Sequence, residues 1–131
     1  MWPRVGELRA LELGTPGEMR TWLNGLVLSG TKRATAGLYQ SDYVDEGEEL
    51  ERPGERLALL DSAGAALAEV EVTSAALVPL PAVTWEFADA EGEGFRSVDH
   101  WREVHVRYWT AAGAEVTDES VVTCVYFRLV R

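Results

Sequence analysis

Cysteine and histidine are scarce in this 131-residue sequence, which contains one cysteine and two histidines. The single cysteine, Cys124, excludes a disulfide within the chain, and its position in an apolar run predicts a buried thiol, as is typical of a reducing compartment. His100 and His105 are spaced so that they diverge on a helix, and no cysteine or carboxylate cluster complements them. The sequence therefore predicts no metal site and no cofactor.

Long apolar runs and basic residues are also scarce. No run approaches the length of a membrane span and no leader pattern precedes the first element, so we expect a soluble cytoplasmic protein with no membrane partner. The chain carries 22 acidic residues against 12 Lys and Arg, which gives a net charge of −10. This charge argues against non-specific coating of DNA or RNA, although a local basic cleft for a small or short ligand stays open.

The glycine patterns of Walker and Rossmann phosphate sites are missing too, and so is a nucleophile elbow. The chain does contain enough apolar residues to form a hydrophobic core. Its apolar fraction is 47%, with five Trp, four Tyr and three Phe. The length and this composition predict one domain over residues 1–131.

Hydrophobic periodicity and turn signals predict an α+β domain. The first helix is expected to begin at Thr15, with Glu18 completing a capping box and Trp22 on its buried stripe, and to end at Gly30. Further helices are expected at 84–90 and 97–109, the second with Tyr108 on its apolar stripe. Strands are expected at 33–39, 56–61, 65–73, 75–83 and 120–130, and the last should be a central strand because both of its faces are largely apolar. Residues 1–13 are ambiguous between strand and helix. This order predicts a small, strongly curved antiparallel sheet or barrel with flanking helices.

Two acidic segments are expected to lie in solvent. Residues 41–51 contain a run of carboxylates that is typical of a solvated loop. Residues 91–94 read Glu-Gly-Glu-Gly, which predicts a flexible loop that presents Glu91 and Glu93.

The stretch 29–38, SGTKRATAGL, changes character abruptly after the first helix. Small residues surround Lys32 and Thr35, and they leave room beside the backbone for a ligand. Lys32 and Thr35 can share a site only if the chain bends there, because side chains three apart on a regular strand point to opposite faces. A purely structural interpretation is also open, since a lysine beyond a helix end is favourable near the last carbonyls.

Several motifs together resemble the ASCH domain family, a branch of the PUA-like β-barrels. A G-x-K-x-x-T element, Gly30–Thr35, follows an amphipathic helix, and a Pro-Gly-Glu turn and a strand pair come next. The Glu-Gly-Glu-Gly loop then precedes a helix that carries Trp101, Arg102 and His105. The resemblance extends over nearly all of the chain from Leu11 onward.

The resemblance implies a PUA-like fold with a cleft beside the helix-to-strand loop. Members of the family are proposed to bind RNA or nucleotides, and some are described as ribonucleases. One branch resembles an amidohydrolase that acts on acetylated cytidine with a Lys, a Thr three residues later and a distant Glu. Lys32 and Thr35 match the first two positions. Glu93 is the best match for the third, and Glu91 is the alternative.

Two hypotheses follow. In the first, the domain binds a nucleotide, a nucleoside or a short single-stranded RNA through Lys32, Arg33 and Arg96, while Tyr39 stacks on a base. Glu91 belongs to the same expected ligand-binding set.

In the second hypothesis, the domain is a small hydrolase that acts on an acylated nucleoside such as 4-acetylcytidine, or on RNA. Thr35 would attack an acyl carbon, Lys32 with a lowered pKa would accept its proton, and Glu93 would protonate the leaving amine. Alternatively, Lys32 stays charged and binds a phosphate or carbonyl oxygen without catalysis.

Overall fold

The structure is a computed structural model that describes residues 1–130. Its strands are β1 Arg4–Val5, β2 Leu8–Leu11, β3 Ala34–Leu38, β4 Arg56–Leu60, β5 Ala66–Pro79 and β6 Val121–Leu129. Its helices are α1 Glu18–Leu28, α2 Trp85–Ala90 and α3 Val98–Ala111. A single π-helical turn, Tyr39–Val44, follows β3, and a 3₁₀ turn, Leu80–Ala82, follows β5.

The six strands form one sheet in the order β1-β2-β4-β5-β6-β3. The predicted α+β class and the helix-flanked sheet are confirmed, but the sheet is mixed and open. β2 runs parallel to β4, while the other pairs are antiparallel. The parallel pair is possible because a long connection containing α1 and β3 separates the two strands, as a parallel crossover requires.

β5 is longer than expected. It continues from Ala66 to Pro79 as one strand, whereas the sequence suggested two strands, the second leaving the sheet. The register with β6 shifts between Val72 and Ser74, so a bulge at Thr73 bends the strand without ending it. β6 lies between β5 and β3, which confirms that it is a central strand.

The two faces of the sheet carry separate cores. Val122 and Cys124 of β6 belong to a core with Phe87 of α2 and Trp101 of α3. Val125 belongs to a second core that includes residues of α1, β2 and β4. Because alternate side chains of a strand point to opposite faces, α1 covers one face, and α2 and α3 cover the other. None of the helices described is long and apolar enough to cross a membrane.

The N-terminal cap of α1 was predicted wrongly. The helix begins at Glu18, and its cap residue is Gly17, which has a φ of 107° and makes no side-chain capping bond. Thr15 instead places its hydroxyl 3.7 Å from the Met19 sulfur. Trp22, expected on the buried stripe, is 50% exposed. By contrast, Thr84 and Ser97 cap α2 and α3 as their sequence positions predict.

The acidic segment 41–51 is not a uniformly solvated loop. Tyr43, Glu48 and Glu51 within it are buried. Glu48 accepts hydrogen bonds from the Arg4 guanidinium and the Trp2 backbone N–H, and Glu51 accepts one from the Tyr43 hydroxyl. The sequence pattern could not show the state of Glu48, because its partners Trp2 and Arg4 lie more than forty residues earlier in the chain.

Candidate functional site: a cleft that ends at a buried lysine

The chain bends sharply between α1 and β3. Gly30 has a φ of 80°, a conformation that favours glycine. The Lys32 backbone N–H then donates to the Leu26 carbonyl at 3.0 Å, and the Arg33 N–H donates to the Ala90 carbonyl at 2.8 Å. The bend turns the Lys32 side chain inward, where the residue is only 2% exposed.

Because of this bend, Lys32 and Thr35 lie at the same site, which side chains three apart on a regular strand could not do. Both line a small cavity of about 80 Å³, which we call the inner pocket. Glu91, Glu93 and His105 line it as well. The inner pocket thus contains an ammonium, a hydroxyl, two carboxyl groups and an imidazole.

The loop 91–94 is packed in place rather than extended into solvent. Gly92 has a φ of 68°, and a Cβ at this position would lie 2.3 Å from the Thr31 carbonyl oxygen. Only glycine lets the loop lie this close to the backbone before Lys32. Lys32 Nζ consequently contacts both acids, at 3.0 Å from Glu91 Oε2 and 2.7 Å from Glu93 Oε2.

Both carboxylate oxygens of Glu91 have partners. Besides Lys32, the Trp101 indole N–H donates to Glu91 Oε1 at 2.6 Å, and His105 Nε2 lies 3.3 Å from the same oxygen. The His105 ring stacks on Trp101 with centroids 4.2 Å apart. Burial opposes ionisation of Glu91, but Lys32 and His105 outweigh it and hold the pKa of Glu91 well below its usual range. Glu91 is therefore a permanent buried anion.

The pKa of Glu93 is shifted in the opposite direction to that of Glu91. Glu93 shares the Lys32 ammonium with Glu91, and its side chain is 13% exposed. Burial, with the neighbouring charge of Glu91, raises the pKa of Glu93 to about 7, although Lys32 acts against this shift. A raised pKa makes Glu93 a carboxyl group that can exchange a proton near neutral pH.

Lys32 stays protonated. Burial alone would lower its pKa, but Glu91 and Glu93 together raise the pKa above the ordinary lysine value. The proton-accepting Lys32 of the hydrolase hypothesis requires a lowered pKa, so the raised pKa favours the alternative in which Lys32 stays charged. The cause is the pair of carboxylates Glu91 and Glu93, which the sequence pattern placed in a flexible loop.

A larger cavity of about 500 Å³ adjoins the inner pocket, and we call it the outer chamber. The two share Gly14, Thr35, Ala36, Tyr108 and Trp109 in their linings, so they form one continuous cleft. The outer chamber has four aromatic side chains in its lining, from Trp2, Tyr43, Tyr108 and Trp109. It also has four carboxylates, from Glu12, Asp42, Glu46 and Glu51.

The remaining expected site residues lie elsewhere. Arg33 and Arg96 are exposed and line neither the inner pocket nor the outer chamber. Tyr39 is half-buried, with its ring 6.1 Å from that of Tyr43, and it also lies outside both linings. The structure thus groups Glu91 with Lys32, Thr35 and Glu93, and separates the other three.

Sequence reasoning missed most of the outer chamber. Trp2 lies in a segment whose periodicity was ambiguous, and Tyr43 lies in the run assigned to solvent. Tyr108 was placed on the apolar stripe of α3, so its position was foreseeable but its part in a cleft was not. Within residues 1–130, no group of three or more His, Cys, Asp or Glu side chains is placed to hold a metal ion.

Comparison with known proteins assigns the family. The ASCH domain model matches residues 10–131, and the matched range contains every residue of the inner pocket. The chain belongs to the ASCH domain family. This ASCH domain has the α+β, PUA-like fold that the motifs implied. No curated protein is significantly similar to it in sequence.

Solved structures agree with this assignment. An ASCH domain from Lactobacillus crispatus JV V101 superposes with a TM-score of 0.77 at 25% identity, covering 92% of this chain and 78% of that chain. Protein EF3133 from Enterococcus faecalis V583 superposes with a TM-score of 0.75 at 28% identity, covering 95% and 80%. The hypothetical protein PH0355, at 13% identity and a TM-score of 0.59, covers 84% and 92% and shares the fold.

Proposed function

We propose that the cleft of this ASCH domain binds a small nucleotide-like ligand, with one polar group of the ligand in the inner pocket beside Lys32. The observation that carries the proposal is the convergence of Lys32, Thr35 and Glu93 at one end of a cavity of about 500 Å³. That volume is within the range of roughly 300–1,000 Å³ that is usual for small-molecule sites.

A short ligand is favoured over a long nucleic acid. The net charge of −10 repels a polyphosphate backbone at long range. Lys32, the cation of the inner pocket, is already paired with two carboxylates and is buried. Binding must therefore come from a compact ligand that enters the cleft and contacts its walls.

Isothermal titration calorimetry with ribonucleosides, their 5′-monophosphates and short single-stranded oligoribonucleotides tests this proposal. We expect at least one of the three classes to bind, and Thr35→Val to weaken that binding because it removes a polar group of the inner pocket without changing its volume. Thr21→Val, on the exposed face of α1, is the matched control. Absence of binding by all three classes, or equal affinity in Thr35→Val, would contradict the proposal.

Amide hydrolysis is the second candidate, and the pKa of Glu93 near 7 favours it. Ionised Glu93 would take the proton of the Thr35 hydroxyl as its oxygen attacks the acyl carbon of an amide. The Lys32 ammonium would stabilise the oxyanion that forms. Glu93 would return the proton to the leaving amine, and water would then cleave the Thr35 ester, giving the carboxylic acid and free Thr35.

Incubation with 4-acetylcytidine, followed by chromatography of cytidine and acetate, tests this candidate, with RNA as a parallel substrate. We expect Thr35→Val and Glu93→Gln each to abolish turnover. The rate should rise as pH increases through about 7, because the reaction needs ionised Glu93. Undiminished turnover in both variants would exclude the inner pocket as the site of hydrolysis.

A further inference from the structure

Trp2 is half-buried in the lining of the outer chamber, where four contacts hold it in place. Its indole N–H donates to the Asp42 carbonyl at 2.8 Å, and its backbone N–H donates to Glu48 Oε2 at 2.7 Å. The Arg9 guanidinium lies 4.8 Å from the ring centroid. The Tyr43 ring meets it edge to face at 4.9 Å.

These contacts hold a large aromatic surface at the cleft in advance of any ligand. A side chain that is already ordered loses little conformational entropy on binding, so its contacts contribute more to affinity. Stacking on an aromatic side chain contributes to the binding of any base, because every base has a π-face. Trp2 also lies outside residues 10–131, the range that matches the ASCH domain model.

The charges of the outer chamber disfavour an anion. Within the described residues, its lining contains four carboxylates and no Lys or Arg. Glu12 is partly neutralised by Arg20 at 3.4 Å, and Glu46 by the Met1 ammonium at 2.6 Å. Burial raises the pKa of Asp42 and of Glu51, as expected where a negative charge is poorly accommodated.

The inner pocket offers no replacement cation. Lys32 is shared by Glu91 and Glu93, so the three groups together already carry no excess positive charge. A phosphate in the cleft would face carboxylates without a free cation to bind it. A neutral or cationic ring would meet no such repulsion, and the aromatic side chains suit it.

We propose that the outer chamber is a subsite for a flat, phosphate-free ring, and that Trp2 is a specificity-determining residue that contacts this ring. The inference rests on the proposed ligand-binding function and narrows it. Among nucleotide-like ligands, the cleft selects the nucleoside over its 5′-monophosphate and over RNA.

Calorimetric titration of the four ribonucleosides and their 5′-monophosphates at low salt tests the selection. We expect at least one nucleoside to bind, and its 5′-monophosphate to bind at least about tenfold more weakly. This difference in affinity should decrease at higher salt, because salt screens the carboxylates. Equal or tighter binding of the monophosphate, or of a short oligoribonucleotide, overturns this inference and leaves the proposed function standing. Absence of all binding overturns both.

Two pairs of variants locate the effect. Glu12→Gln should decrease the difference in affinity between nucleoside and monophosphate. Glu86 is an exposed acid of α2 outside the cleft, so Glu86→Gln should leave this difference unchanged. Trp2→Ala should weaken nucleoside binding about tenfold or more. Trp22→Ala, which removes a 50% exposed tryptophan outside the cleft, should not.

Folding of the Trp2 variant is checked by its thermal unfolding midpoint. If Trp2→Ala is unstable, Trp2→Phe takes its place as the test variant. Trp2→Phe keeps an aromatic ring and should retain most of the nucleoside affinity. The inference is contradicted if Trp2→Ala leaves nucleoside affinity unchanged. It is also contradicted if Glu12→Gln and Glu86→Gln change the affinity difference between nucleoside and monophosphate equally.

Discussion

Two clusters of acids and cations in this ASCH domain differ in charge balance and in burial. In the cluster beside the N-terminal strands, Arg4 and Arg9 face Glu48 and Glu55, so cations and acids are equal in number. Arg4 forms a bidentate pair with Glu48, and these contacts lower the pKa of Glu48 to about 2. Every carboxylate there is ionised at neutral pH.

The inner pocket has the same kinds of groups in a different proportion. One ammonium, Lys32, serves both Glu91 and Glu93. Glu91 receives further support from Trp101 and His105, while Glu93 depends on Lys32 and has a pKa of about 7. A balanced cluster therefore fixes structure, whereas a deficit of one cation leaves a carboxyl group with a proton to exchange. Three predictions test this contrast.

The largest effect is expected for Lys32→Met. It leaves Glu91 and Glu93 buried without their cation, and removal of one partner of a buried ion pair costs about 3–5 kcal/mol. Urea unfolding near neutral pH measures the loss. Arg9→Met is the comparison in the balanced cluster, where Arg9 has only a small exposed fraction but Arg4 remains as a second cation. A Lys32→Met variant that is no less stable than Arg9→Met would contradict the contrast.

A smaller effect is expected for Glu91→Gln, which keeps the shape of the side chain but removes the charge that Lys32 and Trp101 contact. Breaking this network should cost about 2–3 kcal/mol. Glu55→Gln makes the same chemical change to the bidentate partner of Arg9 and should cost about 1 kcal/mol or less. Equal losses of unfolding free energy in the two variants would show that burial and imbalance do not matter.

The third effect is a pH dependence of stability. The pKa of Glu93 rises from its ordinary value of 4.5 to about 7 on folding, so the folded state binds more protons than the unfolded state between these values. This stabilisation is complete below pH about 4.5 and is lost as pH rises through about 7. Unfolding free energy should therefore fall over this window, by at most about 3 kcal/mol, since one unit of pKa corresponds to about 1.4 kcal/mol.

Glu93→Gln isolates this contribution. Asp42 and Glu51 also have raised pKa values and act in the same direction, so the wild type and the variant are compared at each pH. The wild-type decrease should exceed that of Glu93→Gln. Parallel curves for the two proteins would show that Glu93 is not the titrating group.

Local signals in the sequence were sufficient for part of this fold. The hydroxyls of Thr84 and Ser97 each accept a hydrogen bond from the backbone N–H three residues later, so both helix caps follow from the local sequence. The alternating apolar residues of β6 predicted a central strand. The bend at Gly30 likewise follows from a local preference. The cap at Thr15 failed because Gly17 adopts a conformation that other residues avoid, and the helix begins after it.

Properties that depend on distant partners could not be read from the sequence. Glu91 lies in a glycine-rich acidic stretch that predicts exposure, yet it is a buried anion because Trp101 and His105 on α3 contact it. The outer chamber likewise depends on Trp2, which packs against Tyr43 and donates hydrogen bonds to Asp42 and Glu48, residues forty or more positions away. The family motif located Lys32 and Thr35, but the protonation states followed only from the packing.

The most direct test of the central claim is a carboxyl ¹³C NMR titration of the protein labelled at glutamate. We expect one glutamate resonance with a midpoint near pH 7, absent from Glu93→Gln, while Glu91 stays ionised throughout the range in which the protein is folded. If every glutamate resonance instead titrates below pH about 5, as unperturbed carboxyl groups do, no carboxyl group of the inner pocket exchanges a proton near neutrality, which contradicts the contrast between the two clusters.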